Sequence, residues 1–159
     1  TLALGDALAV ALMERRGFTP DDYHSFHPGG RLGARLARVE ELMTKGDALP
    51  HVGLDDPMSD VLLEITQKGF GVAAVTRPDG TLAGIITDGD LRRHMDGLLS
   101  KTAADIASGT PLTVSPDGFA AEALSIMNAR KINVLAVVDG DQRPVGILHM
   151  HDLLRAGVS

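Results

Sequence analysis

Apolar residues along this chain fall into short β-branched runs and into stretches with helical spacing. Val72–Thr76 and Leu82–Thr87 are continuous apolar runs, which are typical of buried strands. Arg77–Gly80 lies between them and contains Pro-Asp-Gly, so it predicts a hairpin turn. Helical spacing predicts two further elements. The first is a helix with Asp56 as its N-cap, Pro57 as its first residue and Gly69 at its end. The second is a helix that starts near Asp88 and carries Leu91, Met95 and Leu98.

The same pattern returns 62 residues later along the chain. Val52–Arg93 aligns with Val114–Arg155 without a gap, and twelve of the 42 aligned positions are identical. Each copy predicts a β-α-β-β-α unit that begins in an extended stretch. In the second copy these elements are Leu112–Val114, a helix from Ser115-Pro116 to about Arg130, strands Val134–Asp139 and Val145–His149 around a turn at Gly140–Arg143, and a final helix to about Ala156. Because duplicated units usually bury their apolar faces together, we expect an α/β (α+β) fold with the repeats packed as a pseudo-twofold pair.

The first forty residues follow a different pattern. Leu2–Met13 is apolar almost all round, as in a fully buried helix. His27–Gly33 is a glycine-rich loop that leads into another helix. Since nothing before Leu2 covers such a helix, we expect the chain to be a fragment. The expected divisions are 1–41 as a remnant of another domain with a linker, 42–99 as the first repeat and 100–159 as the second.

Composition narrows the class of protein. The chain has 159 residues, a formal net charge of −6 and no basic block, so nucleic acid is not an expected partner. The absence of cysteine excludes disulfides and thiolate metal sites and is compatible with the cytoplasm, where we place the protein. The longest apolar run, Ala7–Met13, is too short to span a bilayer, and no secretion signal is visible. Few aromatic residues and 18 glycines favour small units with tight turns.

One motif occurs in register in both copies. The first copy ends in Gly84-Ile85-Ile86-Thr87-Asp88-Gly89-Asp90, and a near-copy spans Gly146–Asp152. This doubled unit resembles a CBS-domain pair, or Bateman module. Three further stretches make the chain similar to bacterial arabinose-5-phosphate isomerases, in which a sugar-isomerase (SIS) domain precedes the CBS pair. These are Ala3–Ala9, His27-Pro28-Gly29-Gly30 and His149–Arg155.

Thr87 and Asp90 are candidate ligand-binding residues. A hydroxyl at a strand-to-helix junction lies beside free helix N–H groups, which suit a phosphate, and an aspartate one turn later can accept hydrogen bonds from a ribose diol. The resemblance implies these two roles. The alternative is that Thr-x-x-Asp only caps the helix. Arg92 and Arg93 follow directly and are candidates to neutralise a phosphate, although exposed arginines are often merely solvated.

The second copy departs from the motif, because His149 replaces the threonine while Asp152 is kept. The resemblance therefore implies a ribose contact there and puts the phosphate contact in doubt. His149 and His151 fall on one side of a strand end, but two histidines without a third ligand make a poor metal site, and we predict none. By resemblance, the base pocket is lined by the backbone around Val52 and Val114 and by residues Val72 and Asn133–Val134. For the valines, the alternative is a place in the core.

The resemblance also implies a function. His27 is expected to contribute to proton transfer in the isomerase active site of the intact parent enzyme, while the fragment itself lacks a complete site. The parent is expected to interconvert D-arabinose 5-phosphate and D-ribulose 5-phosphate for Kdo and lipopolysaccharide synthesis. The CBS pair is then a regulatory sensor of a nucleotide or nucleotide sugar, such as CMP-Kdo or an adenine nucleotide, with no required cofactor. The alternative is a purely structural module that joins the isomerase into a homo-oligomer, a dimer or tetramer. In either case the expected protein partner is the SIS catalytic domain of the same enzyme, and no membrane is an expected partner.

Overall fold

The computed structural model describes residues 2–19, 22 and 36–158. The helices and strands alternate largely as the repeat predicts. In chain order they are α1 (Leu2–Arg15), α2 (Val39–Leu42), β1 (Thr44–Lys45), β2 (His51–Gly53), α3 (Met58–Lys68), β3 (Val72–Thr76), β4 (Leu82–Thr87), α4 (Asp88–Arg93), α5 (Ala103–Ile106), β5 (Thr113–Val114), α6 (Ala120–Arg130), β6 (Val134–Val138), β7 (Pro144–His149) and α7 (Met150–Arg155), with short 3₁₀ turns at Gly46–Ala48 and Leu98–Ser100.

Each repeat builds its own small sheet. In the first repeat the strand order is β2-β3-β4, with β2 parallel and β4 antiparallel to β3. The second repeat has the same arrangement of β5, β6 and β7. The registers also correspond, because Thr87 lies opposite Val72 and His149 lies opposite Val134. The predicted α/β fold of two equivalent units is therefore confirmed.

Short segments that lie before the aligned stretches Val52–Arg93 and Val114–Arg155 complete each sheet at its edge. β1 precedes the first aligned stretch but pairs antiparallel with β7 of the second repeat, where Thr44 lies opposite Ile147. Correspondingly, Ser108 follows the first repeat and bridges Ile85 of β4. Gly84 and Gly146 lie beside these segments. A Cβ added to Gly84 would lie 2.6 Å from the Ser108 carbonyl oxygen, and one added to Gly146 would lie 3.0 Å from the Thr44 carbonyl oxygen. The motif glycine therefore permits this close approach of two backbones.

Apolar side chains form one core cluster in each repeat and a smaller cluster between them. The first-repeat cluster includes Met58, Val61 and Ile86, all fully buried. In the second repeat, Met127, Leu135 and Leu148 occupy comparable places, and Val39 of α2 joins them. The third cluster contains Leu49, Val72 and Ile147, with Phe70, Ile85 and Val134 packed against it. This last cluster joins the two sheets directly behind the carboxyl ends of β4 and β7.

Two predicted helix starts are wrong in detail. Asp56 does not cap α3, since its carboxylate turns back to accept a hydrogen bond from the Gly53 N–H at 2.8 Å, and Pro57 occupies the cap position without a side-chain bond. Likewise, α6 begins at Ala120 after Phe119, not at Ser115-Pro116. There, the Gly118 N–H donates to the Ser115 carbonyl and forms a turn before the helix.

Two helices differ from expectation in extent or environment. α4 ends at Arg93, so Met95 lies outside it and Leu98 belongs to a separate 3₁₀ turn, because Gly97 adopts a positive φ of 68° between them. α1 forms as predicted, and its side chains from Leu4 to Arg15 are exposed in this chain, Leu4 by 69% and Leu8 by 56%. No burial of α1 is therefore found among the described residues, and its burial against chain outside this sequence stays a prediction. In the described residues, no helix combines the length and apolar character needed to cross a membrane.

Candidate functional site

A cavity of about 650 Å³ opens between the two repeats, at the carboxyl ends of β4 and β7. This volume lies within the range of pockets that hold one small ligand. Both repeats and the segment that joins them contribute to its wall. The lining residues are Phe70, Gly71, Ile85, Thr87, Asp88, Gly89, Arg92, Arg93, Ser108, Thr110, Pro111, Leu112, Lys131, Ile132, Asn133, Val134 and His149.

Thr87 and Asp90 form a reciprocal cap at the start of α4. The Thr87 N–H and hydroxyl donate to Asp90 Oδ2 at 2.8 and 2.6 Å, and the Asp90 N–H donates to Thr87 Oγ1 at 3.4 Å. Asp90 Oδ1 accepts from Arg93 and from the Ser108 hydroxyl, at 2.5 and 3.3 Å. Both carboxylate oxygens of Asp90 are thus already engaged. The geometry shows the capping arrangement, and Thr87 lines the cavity while Asp90 lies buried behind it.

The Asp90 carboxylate is stabilised in its charged form. Burial raises the pKa of Asp90, but the hydrogen bonds from Thr87 and Arg93 outweigh burial and bring the pKa below its ordinary value. The ion pair also fixes the Arg93 guanidinium, since Asp90 has only 3% of its surface exposed. Asp90 therefore orders this wall of the cavity, and Ser108 ties the inter-repeat segment to it.

Basic side chains dominate the charged lining of the cavity. Arg92 and Arg93 come from the first repeat and Lys131 from the second, with Asp88 as the acidic member of the wall. Arg93 is paired with Asp90, whereas no ion pair holds Arg92 or Lys131 in the part of the chain that the structure describes. An anionic group entering this cavity would meet at least two available cations. Lys131 was missed by sequence reasoning, although the repeat alignment places it opposite Gly69.

His149 closes the second-repeat side of the cavity. Its Nδ1 accepts the His151 N–H at 3.2 Å, so a proton on the neutral ring lies on Nε2. Burial and the neighbouring His151 lower the pKa of His149, and Asp152 opposes them only in part. The two imidazole rings are 4.8 Å apart. Within the described residues, no group of three or more potential ligands is arranged around a metal position.

Some of the other predicted site residues line the cavity and the rest lie outside its lining. Asn133 and Val134 line the cavity, as Thr87, Arg92, Arg93 and His149 do. Val52 and Val72 are buried in core clusters, Val114 packs against the second-repeat core, and Asp152 lies 4.0 Å from Arg155, away from the lining. The three valines thus occupy the alternative place that the sequence allowed. His27 lies outside the described residues.

Sequence comparison identifies the family of both repeats. The pattern of the CBS domain matches residues 39–97 and again residues 103–159. The chain belongs to the CBS-domain family. Its two matches cover the two repeats, with the α2–β1 segment inside the first.

Two curated relatives are similar to this chain over nearly its whole length. This CBS pair is 51% identical over 162 aligned residues to the arabinose 5-phosphate isomerase KdsD of Pseudomonas aeruginosa, covering 99% of this chain and 50% of that protein. It is 46% identical to the KdsD of Escherichia coli strain K12, covering 99% and 49%. The chain therefore spans about half the length of the curated relatives it matches.

Solved structures confirm the architecture of the CBS pair. The crystal structure of CBSX2 in complex with AMP has a TM-score of 0.66 and 27% identity, over 75% of this chain and 94% of that one. The CBS domain of a bacterial CNNM/CorC family Mg²⁺ transporter, solved in complex with ATP, has a TM-score of 0.67 and 22% identity over 80% and 91%. The second likeness concerns the fold alone.

Proposed function

We propose that this chain is the nucleotide-sensing regulatory CBS pair of a sugar-phosphate isomerase. The parent enzyme would interconvert D-arabinose 5-phosphate and D-ribulose 5-phosphate in the cytoplasm and supply Kdo for lipopolysaccharide synthesis. The likeness to KdsD over 99% of the chain supports this parent activity. His27 is proposed to act only in that intact enzyme, beside the SIS domain.

The observation that carries the sensor role is the cavity between the repeats. Its wall combines apolar side chains, among them Phe70 and Ile132, with hydroxyl groups and the cations Arg92 and Lys131. A nucleotide presents the complementary groups, which are an apolar base face and an anionic phosphate. The bound AMP of CBSX2, at 27% identity, supports the same ligand class. The proposed effector is a nucleotide or nucleotide sugar, with CMP-Kdo and adenine nucleotides as the compounds to try first.

Thermal unfolding with a ligand panel tests the sensor role. AMP, ATP, CMP and CMP-Kdo are added to the chain, and a ligand at a hundredfold excess over its Kd should stabilise the fold by about 2.7 kcal/mol. For a chain of this length, that corresponds to a Tm increase of roughly 5 to 10 °C. A flat response to every compound would contradict the proposal.

A matched pair of arginine variants separates binding in the cavity from unspecific attraction. Arg92→Ala removes a lining cation from α4 and should reduce the ligand-induced increase in Tm. Arg155→Ala removes an exposed cation from the equivalent helix α7, outside the cavity, and should leave the increase unchanged. Equal losses in both variants would indicate general electrostatic attraction.

A second candidate function is a purely structural role in a homo-oligomeric isomerase. Exposed apolar side chains support it, notably Leu63 on α3, with Met95 and Leu99 beyond α4, each more than half exposed. Deleting residues 42–159 from the full-length enzyme distinguishes the two functions. Loss of the dimer or tetramer by analytical ultracentrifugation, with no nucleotide response in the parent, would favour the structural role. Retained assembly with lost nucleotide response would favour the sensor.

A further inference from the structure

The two repeats end their first helices with different residues in the same conformation. The C-cap residue after α3 is Gly69, with φ 74° and ψ 17°, and the C-cap residue after α6 is Lys131, with φ 55° and ψ 44°. This left-handed conformation suits glycine, whereas a side chain with a Cβ is disfavoured there. The second repeat therefore has Lys131 at a position where the first repeat has Gly69, the residue that this backbone conformation favours.

The helix end does not need the lysine side chain. Main-chain groups form the terminal turn, since the Ile132 N–H donates to the Met127 carbonyl at 3.0 Å and the Lys131 N–H faces the carbonyls of Met127 and Asn128. No hydrogen bond or ion pair to the ammonium group is found in the described part of the chain. Lys131 does, however, line the cavity between the repeats. Residues kept in unfavourable backbone conformations cluster at functional sites, which gives this outlier a reason.

The cation on the opposite wall is also peculiar to one repeat. Arg92 lies on α4 and lines the cavity, while its counterpart in the second repeat is Leu154, which is 53% exposed and lies outside the lining. Arg93 is held by Asp90, and Asp88 is the acidic residue that the cavity must accommodate. The internal duplication has thus diverged so that each repeat contributes one available cation to a single cavity.

We propose that Lys131 and Arg92 together bind the phosphate of one nucleotide across the cleft, so that each chain takes a single ligand in one orientation. This inference rests on the proposed function and specifies how its ligand is bound. The cavity supports a single ligand because Thr87 and His149, the equivalent motif positions, line the same space. Lys131 is the specificity residue for an anionic ligand, and the nucleoside portion contacts the apolar wall at Phe70 and Ile132.

Lys131→Gly gives a test with two independent readouts. Glycine relieves the left-handed backbone, so we expect Tm to rise by about 2 to 4 °C. Loss of the ammonium should weaken AMP or CMP binding about tenfold or more, as for a charge-assisted hydrogen bond, and leave adenosine or cytidine binding nearly unchanged. A residue that only ended the helix would change Tm without changing affinity. Isothermal titration calorimetry supplies both affinity and stoichiometry.

Gln142→Gly is the matched control. Gln142 has φ 61°, stands where the first repeat has Gly80, and lies outside the cavity lining. Gln142→Gly should raise Tm to a similar degree without altering the affinity for AMP or CMP. Lys131→Arg keeps the charge and should preserve phosphate-dependent binding.

The outcomes distinguish failure of the proposed phosphate binding by Lys131 and Arg92 from failure of the proposed nucleotide-sensing function. One nucleotide per chain, bound more weakly by Lys131→Gly alone, supports the inference. Unchanged AMP and CMP affinity in Lys131→Gly overturns it while leaving the sensor function intact, as does binding of two nucleotides per chain. Failure of the unmodified chain to bind AMP, CMP or any other nucleotide of the panel overturns both.

Discussion

The motif glycine Gly84 offers a direct test of how the repeats are joined. A methyl group at this position would lie 2.6 Å from the Ser108 carbonyl oxygen and 3.1 Å from the Ala107 Cβ. The carbonyl belongs to a backbone that is fixed by the Ser108 N–H bond to the Ile85 carbonyl at 2.9 Å. It cannot rotate away as a flexible side chain would. Gly84→Ala must therefore push the inter-repeat segment off the edge of β4.

The cost follows from known effects of overpacking. Adding a methyl group to a well-packed interior costs typically about 1 to 3 kcal/mol, and a fixed backbone neighbour places Gly84→Ala in the upper part of that range. For a chain of this size the expected decrease in Tm is roughly 4 to 12 °C. The measurements are thermal and urea unfolding followed by circular dichroism. Because Ser108 also contacts Asp90 and lines the cavity, ligand-induced stabilisation should decrease as well.

Gly140→Ala is the control for the general effect of replacing glycine. Gly140 lies in the exposed turn between β6 and β7, where an added Cβ meets no atom within 4 Å and φ is not positive. Restricting the unfolded chain should make this variant neutral or slightly more stable, by about 0.4 to 1 kcal/mol. If Gly84→Ala proved as stable as Gly140→Ala, the proposed role of the motif glycine in close backbone approach would be refuted.

Two further predictions concern ionisable groups of the site. Asp90→Ala should lower stability at pH 7 by about 2 to 3 kcal/mol, because Thr87 and Arg93 lose a buried acceptor. Since the folded-state pKa of Asp90 lies below its ordinary value, this contribution is present above about pH 4 and is lost as the pH falls through the folded value. The urea unfolding curves of the two proteins should therefore approach each other as the pH is lowered below about 4, and curves that stayed equally far apart down to the acid limit would contradict the reasoning. Because the pKa of His149 is lowered, its contribution to stability is complete above about pH 6.5 and is lost as the pH falls through the folded-state value. His149→Gln should therefore flatten this part of the plot of stability against pH. An NMR titration that placed the pKa of His149 above 6.5 would disprove the lowered pKa.

The internal repeat made most of the fold predictable. β-branched runs bounded by turn residues gave β3 and β4 with their observed bounds, and the offset transferred them to the second repeat. Helix starts were less predictable, because Asp56 and Ser115 have local backbone partners that a cap signal does not reveal. The pairing of β1 with the sheet of the second repeat could not be predicted from the sequence either, since it joins Thr44 to the distant Ile147 of β7.

The candidate site was predictable only where a motif marked it. Thr87, Arg92 and Arg93 follow from the strand-to-helix motif, and they do line the cavity. Ser108 and Lys131 belong to no motif, because their position depends on how the second repeat packs against the first. Three of the predicted valines, Val52, Val72 and Val114, show the opposite. An apolar residue suits the wall of a pocket as well as a core, and these three pack in or against the core clusters, whereas Val134 lines the cavity.

The exchanged edges explain why two repeats with separate cores should behave as one unit. β1 completes the sheet of the second repeat although it lies at the start of the first, and Ser108 covers the edge of β4 although it leads into the second. An uncovered strand edge would expose unpaired backbone groups, so neither sheet is complete without chain that belongs to the other side. The cavity lies where these crossings meet, because Ser108 lines its wall and β1 pairs with β7 two residues before His149. A nucleotide bound in the cavity, as proposed, would contact Ser108 and His149 and so stabilise both crossings at once, which would link occupancy of the cavity to the β1 segment at the start of the first repeat.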